Sequence, residues 1–305
     1  MRNLIKIHHL FFLMIIKTAG AQTSIPDKKD LEAMNRIRKV AFVEESKYSA
    51  KDKFGEVVKD TIVDRHFYTF ELNKLKILRR EYLSKDSIEK TTNIEFNENK
   101  DIAKVTHKSK YKDVLMTFKY NKNKQPIEIK WLQSDTLKNL YVFKYDTKNN
   151  VIEDGTYDHK GNFWKKTIYD YNENGDKIKE TIYTGNIYEI FEYKTFEYSL
   201  DRKTTKTKYY STSGNLYLFE ENKRNNKEQL VEKIYHYSDG DVKHFYKYDE
   251  NNNQIEESRK YKDGDISLIE KINYTYDQNG NWIKKIIFDG HKPTTLIERE
   301  IKYYP

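Results

Sequence analysis

The stretch Tyr246-Lys247-Tyr248-Asp249-Glu250-Asn251-Asn252-Asn253-Gln254-Ile255 carries the plan of the whole chain. Its tyrosines alternate with other residues, which is the period of a strand. An Asp/Asn run follows, made of residues that accept the positive φ of a tight turn. A second alternating segment then begins. Nearly the same phrase returns at Tyr274-Thr275-Tyr276-Asp277-Gln278-Asn279-Gly280-Asn281-Trp282 and at Tyr169-Asp170-Tyr171-Asn172-Glu173-Asn174-Gly175-Asp176.

Working outward from this phrase, paired anchors recur at Tyr68/Phe70, Ile94/Phe96, Phe118/Tyr120, Phe143/Tyr145, Tyr169/Tyr171, Phe196/Tyr198, Tyr217/Phe219, Tyr246/Tyr248, Tyr274/Tyr276 and Ile301/Tyr303. Their spacing is about 26 residues, a period that marks a repeat architecture. Near the middle of many periods stands a second turn signal, such as Gly161-Asn162, Gly185-Asn186, Gly214-Asn215, Asp239-Gly240 or Asp289-Gly290. Each repeat is therefore two strands, and turns this close together join neighbours antiparallel. The expected fold is all-β: an antiparallel β-hairpin repeat array of roughly 18–20 strands, a twisted meander curling into a spiral sheet, a sandwich or a barrel. Alternation assigns Ile272, Tyr274 and Tyr276 to one face and Lys271, Asn273 and Thr275 to the other. It groups Trp282 with Ile286 and Phe288, and it places Glu180 and Lys284 as charges on the apolar face. The polar face should carry cross-strand ion pairs worth a few tenths of a kcal/mol each. A meander leaves free edges, which Lys284, Lys302 and Pro305 are expected to blunt.

Composition agrees with a folded, strand-rich chain. Charged residues make up 34% of the 305, but 26 Tyr and 15 Phe set it apart from disordered sequences, which are poor in aromatics. Residues 1–21 read as a signal peptide. Arg2 and Lys6 precede the apolar run Leu10–Ile16, and Ala19-Gly20-Ala21 supplies a cleavage site. The run is too short to span a bilayer, and no later stretch suits a transmembrane helix. Residues 22–36 form a lead-in, with Pro26 and the spacing of Leu31 and Met34 fitting a short helix, and 37–305 form the repeat domain. The expected address is exported, periplasmic or extracellular. With no cysteine there is neither a lipoprotein anchor nor a disulfide. The formal charge of +8 falls to about +5 without Arg2, Lys6 and Lys17. Cations and anions are interleaved, which is not the footprint of a nucleic-acid partner.

No catalytic constellation is legible. There is no G-x-S-x-G, no G-x-G-x-x-G, no P-loop and no H-E-x-x-H. Asp170, Asn172, Asn174 and Gly175 open like a calcium loop, but Thr181 stands where a bidentate Glu is needed, so a hairpin turn is expected. His236 and His244 flank a turn and are expected to face each other. The reading is of a non-enzyme without cofactor or metal. Its binding candidates are Trp131, Trp164 and Trp282, of which the last two follow Gly-Asn turns near hairpin mouths, where rings can stack on sugars.

The phrase Tyr276-Asp277-x-x-Gly280-Asn281-Trp282 resembles the YD repeat of the RHS family, as do Tyr157-Asp158-x-x-Gly161-Asn162-Phe163 and Tyr171-Asn172-x-x-Gly175-Asp176. That resemblance implies β-hairpin shells in cell-surface or secreted proteins that contact sugars, enclose toxin cargo or mediate contact. Tyr209-Tyr210-Ser211-Thr212-Ser213-Gly214-Asn215-Leu216 is similar to the MORN-related repeats of YwqK-type antitoxins. The functions carried forward are a secreted scaffold binding a surface polysaccharide or an envelope protein, a component of a contact-dependent toxin/antitoxin system, and an outer-membrane β-barrel. Oligomeric state is open.

Overall fold

A computed structural model describes residues 40–70, 76–82, 88–99, 101–109, 112–185, 189–262 and 264–305. The signal peptide and the lead-in helix lie outside these residues. The strands are β1 Val40–Lys53, β2 Glu56–Phe70, β3 Lys76–Tyr82, β4 Ile88–Phe96, β5 Ile102–Ser109, β6 Asp113–Tyr120 and β7 Pro126–Gln133. They continue as β8 Thr136–Tyr145, β9 Val151–Asp158, β10 Phe163–Tyr171, β11 Lys177–Thr184, β12 Glu189–Tyr198, β13 Thr204–Ser211 and β14 Leu216–Arg224. The last six are β15 Leu230–Tyr237, β16 Gly240–Tyr248, β17 Gln254–Lys260, β18 Ile266–Tyr276, β19 Trp282–Asp289 and β20 Lys292–Tyr303. Successive strands pair antiparallel throughout one sheet of 20 strands, the meander that the repeat predicts.

The pairing also returns to its start. β1 pairs with β2 on one side and with β20 on the other, in a register that sets Val43 opposite Ile301 and Glu45 opposite Arg299. Every strand thus has two neighbours, and of the closures open to the sequence the pairings draw a ring. This corrects the expectation of free edges. Lys284 lies in a strand paired on both sides, and Lys302 pairs with Phe42 across the seam, so neither blunts an edge.

The repeat phrase explains one end of the sheet. In most described loops after an anchor pair, an Asp or Asn accepts the backbone N–H four residues on, as in Asn150 to Asp146 (2.8 Å), Asp176 to Asn172 (2.9 Å) and Asn281 to Asp277 (2.9 Å), while after Tyr198 the Ser199 hydroxyl accepts from Thr204. The fourth loop residue takes positive φ: Gly175 at 80°, Gly280 at 78°, but also Asn252 at 65°, Lys124 at 60° and Glu228 at 62°. Glycine occupies that position without a steric cost that Lys and Glu incur. Glu228→Gly and Lys124→Gly are therefore each expected to stabilise by about 0.5–1 kcal/mol, with Asn252→Gly near neutral because Asn tolerates this region. Urea midpoints of the three variants check this. A loss of stability in both glycine variants would contradict it.

Where the second member of an anchor pair is a tyrosine, it fastens one repeat to the one before. Tyr120 donates its hydroxyl to the Ile102 carbonyl (2.7 Å), Tyr145 to Pro126 (2.7 Å), Tyr171 to Val151 (2.8 Å), Tyr198 to Lys177 (2.9 Å) and Tyr248 to Leu230 (2.9 Å). Tyr276 and Tyr303 reach the capping carboxylates Asp249 and Asp277 instead. A hydroxyl on a flat apolar ring suits this position, since the ring packs while its tip satisfies a carbonyl at the strand's start.

The two faces differ in burial. One carries Val43, Tyr68, Ile94, Val105, Met116, Phe118, Ile129 and Tyr141, which form a continuous apolar core with Val43 0% and Ile129 1% exposed. The opposite face carries the expected ion pairs: Lys119–Glu128 (3.0 Å), Lys144–Glu153 (2.9 Å), Lys223–Glu232 (2.8 Å) and Lys247–Glu256 (2.7 Å). We take the more buried face as the one turned into the ring.

Candidate functional site

The inward face is not apolar all the way round. From β11 to β17 it carries charges and rings at the positions that hold Val, Ile and Phe in β4 to β8. The pairing sets Glu180 opposite Lys194, Lys194 opposite Tyr209, Glu220 opposite Tyr235 and Lys233 opposite His244. Lys194 Nζ lies 3.4 Å from Glu180 Oε1 and 5.2 Å from the centre of the Tyr209 ring. Lys233 Nζ sits 3.0 Å from Glu220 Oε2 and 4.6 Å over Tyr235. Tyr235 meets the His244 ring edge-on at 5.7 Å, and His244 Nδ1 stands 2.8 Å from Glu257 Oε1. The result is a belt in which carboxylate, ammonium and ring alternate across neighbouring strands.

The belt sets its own ionisation. Burial pushes the Glu180 carboxyl up, but Lys177 and Lys194 outweigh it and hold the group below its ordinary range. Burial disfavours the charge of Lys233, yet its bonds to Tyr235 and Glu220 hold its pKa high. Burial, with the nearby charge of Glu220, keeps the Tyr209 hydroxyl protonated. Burial and Glu257 push Tyr246 up to about 12. Beside the belt, Tyr169 donates to Asp154 Oδ2 at 2.6 Å, and burial raises Asp154 to about 6.

A second cluster closes the ring. Arg299 Nε donates to Glu45 Oε2 at 2.7 Å, and the guanidinium lies 3.3 Å from the centre of the Trp282 ring. His66 Nδ1 approaches Glu45 Oε1 at 3.6 Å. Burial alone would raise the Glu45 carboxyl, but His66 and Arg299 more than offset it and hold the group at about 2.

The three tryptophans do not share a site. Trp131, in β7, packs against the apolar core with Lys112 Nζ 4.9 Å over its ring. Trp164, near the start of β10, is 61% exposed. Trp282 begins β19 at the other end of the sheet, packed on Tyr274 and Arg299. Grouping Trp282 with Ile286 fails because the register shifts between Thr275 and Tyr276, which turns Trp282 to the face of Tyr274. His236 and His244 do not face each other either. His236 pairs with Asp241, and His244 is three residues further on, so the odd offset puts it on the opposite face. Asn172 caps its own turn through the Asp176 amide, as the hairpin reading expects. Among the described residues no group of three His, Asp or Glu is arranged to hold a metal.

No known family profile matches the chain, and no curated protein does. Solved structures match at low identity. A porin-like protein from Bacteroides uniformis ATCC 8492 is 8% identical over 86% of this chain and 96% of its own, with a TM-score of 0.37. The TcdB2–TccC3 structure is 7% identical over 79% of this chain and 17% of that one, with a TM-score of 0.29. The Photorhabdus luminescens Tc holotoxin pore is 9% identical over 79% of this chain and 17% of that one, with a TM-score of 0.19. The resemblance to the YD repeat rests on the turn phrase itself.

The belt was partly within reach of sequence reading. Glu180 already stood out as a charge at anchor parity. Lys194 carries the same signal, two positions from the anchor Phe196, whereas Glu220 and Glu257 stand an odd number of positions from the anchors nearest them.

Proposed function

We propose that this chain is an exported, non-enzymatic β-repeat scaffold, periplasmic or extracellular, whose β11–β17 belt binds a surface polysaccharide. The observation that carries the reading is the pairing of the belt's charges with each other. Lys194 answers Glu180 and Lys233 answers Glu220, which leaves Arg259, opposite His244, as a belt cation without an ion pair among the described residues, while a polyanion binds through several phosphate contacts. Neutral polyhydroxylated chains suit the belt better. Their hydroxyls bond to carboxylate, ammonium and imidazole alike, and their apolar sugar faces stack on Tyr209 and Tyr235. On this reading the ligand lies on the belt and not on Trp131, Trp164 and Trp282. Against lipid contact by an outer-membrane barrel stand the charges on both faces. Lys119, Lys144 and Lys247 point out with their side chains at least 60% exposed, where an apolar band would be needed. The toxin-system reading rests on the repeat phrase alone.

The test is titration of the purified 22–305 chain with a panel of neutral and acidic polysaccharides. Tyr209→Ala/Tyr235→Ala should weaken binding of a neutral glycan about 10-fold or more, and Trp164→Ala should leave it unchanged. Tyr209→Phe/Tyr235→Phe keeps the stacking and should lose less. Selective binding that survives the double alanine change and falls with Trp164→Ala would move the site to the tryptophans.

A further inference from the structure

One cation of the belt has no counter-ion. Arg259, in β17, stands opposite His244 on one side and Ser267 on the other. Its guanidinium lies 5.0 Å from the centre of the Tyr261 ring, and its Nε is buried with no hydrogen-bond partner. Among the described residues it forms no ion pair, although acids are near. Glu257, two positions back on the same face, is held by His244 Nδ1 at 2.8 Å, and Glu220 is held by Lys233 at 3.0 Å. Glu270 lies opposite Glu257 across the next pairing. A guanidinium that leaves a buried donor unmet beside engaged acids is set for an acceptor from outside the chain.

The surrounding acids limit what that acceptor is. A chain charged at every sugar would bring its further carboxylates against Glu220, Glu257 and Glu270, and like charges held close repel. A chain with an isolated carboxylate meets Arg259 alone. Arg presents a planar fork that a carboxylate fills with two parallel hydrogen bonds, which a hydroxyl does not. Tyr235 is two strands from Arg259, about 10 Å at ~4.8 Å per strand, so adjoining neutral sugars can cover the Tyr235 and Tyr209 rings. We propose that Arg259 sets the specificity of the belt by taking the carboxylate of an isolated uronic acid in an otherwise neutral polysaccharide. This rests on the glycan reading of the belt and names the chain that the belt prefers.

The purified protein is titrated with a polysaccharide of neutral sugars carrying one glucuronic acid per repeat unit. It is also titrated with the same polymer after carboxyl reduction, which turns each glucuronic acid into glucose. Wild type should bind the intact polymer about 10-fold tighter than the reduced one. Arg259→Gln should bind both forms equally, at the wild-type affinity for the reduced one. Arg259→Lys, which keeps the charge without the fork, should restore only part of the preference. A polyuronate, charged at every sugar, should bind wild type more weakly than the sparsely charged chain. Equal binding of the intact and reduced forms by wild type, or a preference that survives Arg259→Gln, would overturn the proposal and leave the belt as a neutral-glycan site. Tighter binding of the polyuronate would also overturn it. Loss of the reduced polymer in both variants would make Arg259 a structural residue and sink the proposal too. Failure of wild type to bind either form would remove the belt reading along with it.

Discussion

Replacing Arg299 with alanine is expected to cost about 3 kcal/mol of unfolding free energy. The side chain is 6% exposed and holds Glu45 across the pairing that joins the last strand to the first. Without it, Glu45 stays buried with only His66 for compensation, and an uncompensated buried carboxylate is what makes such a deletion expensive. The cation also covers the Trp282 ring, so apolar contact is lost with the charge. Urea unfolding gives the magnitude, and hydrogen exchange locates it. Amides of β1 and β20 should lose protection before those of β6 to β8. The acid limb of stability supplies a third reading. Glu45 is held at about 2 against an ordinary 4.5, so its contribution is complete above pH 4.5 and disappears as the pH falls toward 2. In Arg299→Ala that slope should flatten. A loss below about 1 kcal/mol with an unchanged acid limb would mean the seam is held by backbone pairing alone.

The seam was the part of the fold that the sequence hid. Strand identity, antiparallel order and the period near 26 follow from local signals, alternation and turn chemistry, which act over a few residues. Closure depends on Val43 meeting Ile301 and Glu45 meeting Arg299 from opposite ends of the chain, and no local pattern encodes that register. The turn phrase was legible in composition but not in mechanism. Asp was visible as a turn former, while the reach of Tyr145 back to the Pro126 carbonyl requires the previous repeat to be placed alongside. The candidate site failed for a related reason. Trp282 was read by counting alternate residues, and one bulge at Thr275/Tyr276 reverses that count. Charges on the inward face were discounted because alternation is a rule about averages. In β11 to β17 the face is kept by Lys–Glu and Lys–Tyr contacts between strands, which a strand read alone does not display.

Replacing Asp154 with asparagine is expected to stabilise the protein at neutral pH by about 2 kcal/mol and to do nothing at pH 3. Burial raises this carboxyl from an ordinary 3.8 to about 6, with Glu180 adding repulsion, and the Tyr169 hydroxyl offsets only part of that. The sign follows from linkage. A carboxyl raised in the folded state binds its proton more tightly there than in the unfolded chain. Ionising it therefore removes stability as the pH climbs from 3.8 through 6, the opposite of the Glu45 limb. The two groups bracket the pH of greatest stability from either side, and between them they place it at about pH 4. Asparagine keeps an oxygen to accept from Tyr169 while carrying no charge, so the alkaline limb should vanish in the variant and the maximum should broaden upward. Unfolding free energy measured from pH 3 to 8 decides the matter. If Asp154→Asn instead loses stability at pH 7, the Tyr169–Asp154 bond is worth more as a charge-assisted bond than the burial of its charge costs. The ionisation of that carboxylate would then be a structural requirement of the inward face.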